Sequence, residues 1–127
     1  MSFSNFLELE VLDHVFRNSA YTAPSTIYVA LFTSAPNDSG GGTEVSGNGY
    51  ARQSMAFSAA SGGSISNSSS VEFPTATGSQ GTITHVGLFD ASSGGNLLAY
   101  GALTASKAVG SGDVFRFNAA ALTISLD

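Results

Sequence analysis

The chain has no cysteine and two histidines, His14 and His85. A metal site needs His, Cys, Asp or Glu clustered at ligand spacing. These two histidines fall in different elements, and neither has a second histidine at such a spacing. No metal ligand is therefore expected. His85 reads as a satisfied or partly exposed strand histidine, and His14 as a residue on the polar side or rim of a helix. The acids Asp38, Glu44, Asp90 and Asp113 fall in loop-like stretches. A calcium loop sets several oxygen ligands at tight alternating positions. Asn37-Asp38-Ser39 and Asp90-Ala91-Ser92 are too sparse for that and read as turn chemistry, in which Asn and Asp bond their own backbone.

Serine is abundant, but no Gly-x-Ser-x-Gly elbow occurs. Ser39-Gly40-Gly41-Gly42-Thr43 is glycine-rich, yet it lacks the lysine of a phosphate loop and precedes no helix pattern. No carboxylate pair has the spacing of a glycosidase signal. Tyr21, Tyr28, Tyr50 and Tyr100 read as core rings with their hydroxyls at the edge. The alternative for them is an aromatic platform for sugar. The reading is a protein that is not an enzyme, with no catalytic residue, no cofactor, no metal and no small-molecule substrate.

What the residues must instead do is pack. Charged side chains make up 10% of the 127 residues, against roughly 25% in an ordinary soluble domain. A polar but weakly charged surface puts little repulsion between neighbouring molecules. That suits a protein held in an assembly, and the competing reading is a secreted or extracellular monomer. The net charge is −5, and the four basic residues Arg17, Arg52, Lys107 and Arg116 are scattered. No basic stripe is present to neutralise phosphates, so no nucleic-acid partner is expected. No apolar run spans a bilayer and no basic amphipathic helix is present, so no membrane partner is expected. Met1 to Arg17 carries Glu8, Glu10 and Asp13 and lacks a basic start. Synthesis in the cytoplasm without a signal peptide is the expectation.

The elements follow from periodicity. Phe3, Phe6, Leu7, Val11, Leu12, Val15 and Phe16 recur at helical spacing, capped by Ser4 or Asn5 and stopped near Asn18 and Ser19. After Pro24 the texture becomes that of strands. Thr26 to Phe32 is apolar on both parities, as in a central strand covered on both sides. Asn37–Gly49 reads as a long loop, and Tyr50–Phe57 as a strand. Ala59–Ser70 reads as a flexible loop or a weak edge strand. Val71–Phe73, Thr82–Phe89, Leu97–Leu103, Val114–Phe117 and Leu122–Leu126 complete the strands. Tyr28-Val29-Ala30-Leu31-Phe32-Thr33 is echoed by His85-Val86-Gly87-Leu88-Phe89-Asp90. The two segments are expected to be equivalent central strands in facing sheets. The fold class expected is mainly β: an antiparallel β-sandwich or jelly-roll-like barrel with one N-terminal α-helix. Residues 1–127 form a single domain in this reading, with the helix in 1–19 and the β-domain in 25–127.

The order of blocks resembles a family of small tailed-phage and prophage virion structural proteins, often labelled tail fibre or hypothetical structural protein. The blocks are Leu12-Asp13-His14-Val15-Phe16, Ala20-Tyr21-Thr22-Ala23-Pro24, Tyr28 to Thr33, Gly42 to Gly47 and Gly49-Tyr50-Ala51-Arg52-Gln53. Val71-Glu72-Phe73-Pro74, Thr84 to Asp90 and the Leu122-to-Asp127 ending complete them. They cover nearly the whole chain. Members of the family often carry an aromatic before the block that begins at Gly81, where this chain has Gln80. The resemblance implies a virion protein made in the host cytoplasm and brings no catalytic residue with it.

From this the expected function is capsid decoration: a cement protein bridging coat subunits on the capsid surface as an oligomer. The alternatives are a tail, baseplate or fibre-associated structural protein, or a host-glycan-binding module. The expected partners are other copies of the chain, as a trimer, and the major capsid protein or a tail component. The expected contact residues lie in the helix and the long loop: Phe3, Phe6, Leu7, Val11, Phe16, Asn37, Asp38, Glu44 and Val45.

Overall fold

The computed structural model describes residues 1–126, so Asp127, the last residue of the expected domain, lies outside the described residues. Three long antiparallel strands dominate: β2 (Ile27–Ser34), β7 (Gly81–Phe89) and β8 (Leu97–Val109). β2 and β7 are built where β-branched and aromatic residues concentrate, as the pleat favours, whereas β8 opens on Leu97-Leu98 and runs on through small residues paired with β7. Short strands flank them. β1 (Ser2–Phe3) pairs with β8, while β3 (Thr43–Glu44) and β4 (Gln53–Met55) both pair with β2, giving the order β1-β8-β7-β2-β3. Two small antiparallel ladders complete the fold: β5 (Ser64–Ser66) with β10 (Thr123–Ser125), and β6 (Val71–Glu72) with β9 (Arg116–Phe117). The chain is mainly β with one helix and antiparallel sheets in a sandwich-like arrangement, as the strand pattern implied.

The β2–β7 register explains the unalternating apolar runs. Val29 faces Leu88 and Leu31 faces Val86, and these four side chains join Ile83 and Ala99 in the core. On the other parity Ala30 faces Gly87 and Phe32 faces His85, and Ala30 and Phe32 are buried as well. Both faces of the central strands are thus covered. The two echoing segments are therefore neighbours in one sheet, paired antiparallel about Ala30 and Gly87, and not strands of facing sheets. The small residues meet at the centre of the pair because the Phe32 and Phe89 rings stack there, with centroids 6.2 Å apart and planes 11° apart.

The short ladders contribute Val71 and Phe117 to the same core, and the residues beside them Phe73, Phe115 and Leu122. Phe73 stacks on Tyr50 at 6.1 Å and meets Phe115 edge-on at 5.9 Å. Such aromatic pairs contribute about 0.5–1.5 kcal/mol each beyond area burial. Asn67, 1% exposed, is the polar counterpart. Its amide donates to the carbonyls of Ser69 and Asn118, both at 2.9 Å, and its Oδ1 accepts from the Leu122 amide at 2.9 Å. Ala59–Ser70, read from sequence as a loop or weak edge strand, holds β5 and is pinned by this residue. Gln80 is also buried, its side chain donating to the Asn48 carbonyl at 3.0 Å.

Strand β8 runs six residues past the Leu103 end expected from sequence. The register steps from His85↔Ala102 to Ile83↔Lys107, so the four residues Leu103 to Ser106 stand against Thr84 alone before pairing resumes, with Leu103 packed against the core. A bulge of small and polar residues carries no alternation, which hides the strand.

Helix α1 (Asn5–Phe16) is capped by Ser4, whose hydroxyl accepts from the Leu7 amide at 3.2 Å and donates to the Leu97 carbonyl. At the other end the Arg17 and Ser19 amides both donate to the Asp13 carbonyl, and Asn18 turns into the left-handed region with φ 54°. Only glycine, asparagine and aspartate enter that region at low cost. No residue of the helix is fully buried.

Candidate functional site

Two regions of the surface combine polar chemistry with concave shape. The first is centred on Arg52. Its Nε and Nη2 donate to the two oxygens of Glu44 at 2.8 Å each, a bidentate pair. Its Nη1 donates to the carbonyls of Ala91 and Gly94 at 2.9 and 2.8 Å, and the guanidinium lies 3.7 Å above the Phe89 ring. Glu44 also accepts from the Tyr50 hydroxyl at 2.6 Å, and that hydroxyl accepts from the Leu31 amide at 3.1 Å. β3, β2, the strand after Tyr50 and the β7–β8 hairpin are thereby tied to one guanidinium.

The electrostatics match a clasp. Burial pushes the Glu44 carboxyl up, but the hydrogen bonds from Arg52 and Tyr50 and the guanidinium charge outweigh it and hold it below the usual value. Burial, then the bond to Glu44, hold the Tyr50 phenol far above its usual value. The bond to Glu44 raises the Arg52 guanidinium further. A cavity of about 660 Å³ opens beside the clasp, lined by Phe32, Asp38, Arg52, Phe89 and Asn96 among others. Arg52, one of three charged residues lining it with Asp38 and Glu44, already makes four hydrogen bonds inside the chain.

The second region is the N-terminal helix and the turn beneath it. Asn37 and Gly40 exchange backbone hydrogen bonds at 2.6 and 2.9 Å, and the Asn37 side chain accepts from the Ser39 amide at 2.9 Å. The Asp38 carbonyl accepts from the Asn5 amide at 2.9 Å, and the Asp38 carboxylate accepts from the Tyr100 hydroxyl. That bond, then burial, raises the Tyr100 phenol. The helix start and the Asn37–Gly40 turn, far apart in sequence, thus form one platform at the edge of β8.

The residues expected at contacts distribute unevenly. Asn37 and Asp38 are exposed on the platform. Phe6 is half-buried, edge-on to Tyr21 at 6.2 Å. Phe3 and Leu7 face inward and line an apolar cavity of about 250 Å³ with Pro24, Ile27, Leu88 and Ile124. Val11 lines a groove with Leu12, Glu8, Asp38 and Leu126. Phe16 stands 78% exposed. Glu44 and Val45 are occupied within the chain, Glu44 in the clasp and Val45 in the core, 6% exposed. The sequence reading missed Leu9, Leu12, Val15 and Leu126 as surface residues, although each is more than half exposed. The signal was present, because a helix apolar nearly all round cannot bury every side chain against one sheet.

Among the described residues, no His, Cys, Asp or Glu group is placed to hold a metal ion, and no buried side-chain polar atom lacks a partner. His85 is engaged with Thr84 at 2.8 Å, and His14 accepts from the Tyr21 amide at 3.2 Å. Among the described residues, no helix is long and apolar enough to cross a membrane. A sandwich whose polar groups are used in holding its own loops, with apolar side chains displayed on a helix, has the build of a structural packing module. The match to a family model makes it a phage virion structural protein. The chain belongs to the family described as Podophage GP4 fiber I protein gp80, whose model matches residues 2–125. No curated protein matches it. The family description favours the fibre-associated alternative over the capsid-decoration reading.

Proposed function

We propose that this chain is a structural component of the tail-fibre apparatus, held in the virion by contacts of the N-terminal helix and the Asn37–Gly40 turn. The observation that carries the proposal is the exposed apolar surface of α1, where Leu9, Leu12, Val15 and Phe16 are 52–78% exposed. Contiguous exposed apolar surface on a folded protein marks an interaction site. The clasp around Arg52 serves the same end differently. It fixes the long glycine-rich loop so that the turn under the helix keeps one shape.

The test is location and copy number in purified virions. Antibody-gold labelling at the tail, with few copies relative to coat protein, is expected. Labelling over the shell with a copy number near that of coat protein would overturn the reading and restore capsid decoration.

A further inference from the structure

The exposed residues of α1 follow a rule. Leu9, Leu12 and Phe16 are spaced i, i+3 and i+7, which places them along one seam of a helix that packs against another helix. They are 63%, 52% and 78% exposed. The positions flanking that seam carry Glu8 and Asp13. On the neighbouring groove, which shares Leu12, the charged side chains are Glu8 and Asp38.

The flanking charges discriminate between occupants. Two copies of α1 laid seam to seam, parallel or antiparallel, would bring carboxylates against carboxylates. Like charges across such flanks disfavour pairing. The chain's cations are poorly placed to relieve this. Arg17 lies 3.5 Å from Asp13 and offsets that carboxylate alone, leaving Glu8 and Asp38; Arg52 is consumed by the clasp, Lys107 sits over the Phe115 ring, and Arg116 lies in the β6–β9 ladder opposite Glu72. With a net charge of −5, a second copy is an electrostatically poor occupant.

We propose that the outer face of α1 docks an apolar helical segment of a different protein, one whose seam is flanked by Lys or Arg. This names the partner chemistry for the surface used in the functional proposal and rests on that reading. Apolar side chains would enter beside Leu9, Leu12 and Phe16, while the cations would reach Glu8, Asp13 and the Asp38 edge of the groove. Apolar contact supplies the affinity and charge complementarity selects the partner.

The experiment uses the full chain and two synthetic amphipathic helices with leucine seams, one flanked by Lys and the other by Glu, read by fluorescence anisotropy. The Lys peptide is expected to bind at least tenfold more tightly than the Glu peptide, and added salt to narrow that gap. Leu12→Gln with Phe16→Gln should weaken the Lys peptide at least tenfold. Glu8→Gln with Asp13→Asn should retain binding but erase the preference. Equal binding of both peptides, or binding of neither, overturns the proposal. So does an oligomer of the unaltered chain that dissociates in the Leu12→Gln, Phe16→Gln variant, since a second copy would then occupy the seam. Virion labelling reports separately. Tail location without charge preference leaves the fibre role and removes this partner, whereas shell location removes the fibre role whatever the peptides do.

Discussion

Arg52 holds Glu44 through two parallel hydrogen bonds of 2.8 Å while its guanidinium plane rests 3.7 Å above the Phe89 ring. One side chain thereby joins the long loop after β2 to the hairpin between β7 and β8. Its side chain is 8% exposed and that of Glu44 is 26% exposed, so the pair is more protected than a surface salt bridge.

Removing one partner of such a pair leaves the other charge half-buried. Arg52→Ala is expected to cost about 3 kcal/mol, and Arg52→Lys nearly as much, because lysine cannot reproduce the fork or the stacking. Urea unfolding of both variants measures this. A loss under about 0.5 kcal/mol for Arg52→Ala, the range of ordinary surface changes, would contradict the clasp.

The same pair predicts a pH dependence. The Glu44 carboxyl lies below its usual value of 4.5 in the fold. A group depressed on folding contributes stability above its unfolded value, and that contribution is lost as pH falls through the folded one. Acid titration of stability should therefore steepen below about 4.5, and Glu44→Gln should remove part of that slope. An unchanged slope in the variant would place the acid sensitivity elsewhere.

Gly87 tests the centre of the sheet. A Cβ built there would lie 2.8 Å from Phe32 Cε1, 3.1 Å from Leu97 Cδ1 and 3.3 Å from Phe89 Cε2. Gly87→Ala forces the stacked rings apart and is expected to cost about 1–3 kcal/mol, as overpacking does. Calorimetry should show a lowered Tm. A rise in Tm, as relief of glycine's chain entropy would give, would mean the rings shift freely.

These residues also show what the sequence made legible. The three central strands were readable because bulky residues on both parities report burial on both sides. The helix was readable from its period and cap. Their mutual arrangement was not. The echo around Ala30 and Gly87 looked like two equivalent strands, but only pairing register reveals that they are antiparallel neighbours. The β8 extension was hidden by its bulge. Arg52, Glu44 and Tyr50 lie close in sequence, yet their joint role depends on Phe89, Ala91 and Gly94, which the fold brings from about forty residues away. Val45, expected at a contact, lies in the core cluster with Val29 and Leu31, next to β2 through its amide, which donates to the Leu31 carbonyl at 2.9 Å.

Asn67 joins the segments on either side of the second layer. Asn67→Ala would leave the Leu122 amide and the Ser69 and Asn118 carbonyls without their side-chain partner. An unsatisfied buried group costs about 1–3 kcal/mol, so a loss of that size or somewhat more is expected by chemical denaturation. Hydrogen exchange should rise first in β5 and β10, which the residue holds together, and uniform exchange across the sheet would count against this role.

The N-terminal segment calls for point variants and not truncation. Met1 and Phe3 pack against the core, and Ser2 and Phe3 pair with Tyr100 and Ala99 of β8. Deleting residues 1–17 would strip a strand from the sheet edge and open the cavity lined by Leu88 and Ala99, so loss of virion incorporation would not isolate the helix. Ser4 offers a narrower handle. It is 2% exposed, caps the helix through the Leu7 amide and anchors it to β8 through the Leu97 carbonyl. Ser4→Ala is expected to cost about 1–2 kcal/mol, at the upper side of ordinary cap losses because the second bond goes too. Since α1 buries no residue completely, the loss should appear as faster hydrogen exchange in Asn5–Phe16 with the central strands unchanged. Leu12→Gln and Phe16→Gln, which alter only exposed side chains, should leave both exchange and Tm within about 0.5 kcal/mol of the unaltered chain. If those two variants instead unfold the helix, its outer face is part of the fold and not a surface held ready for a partner.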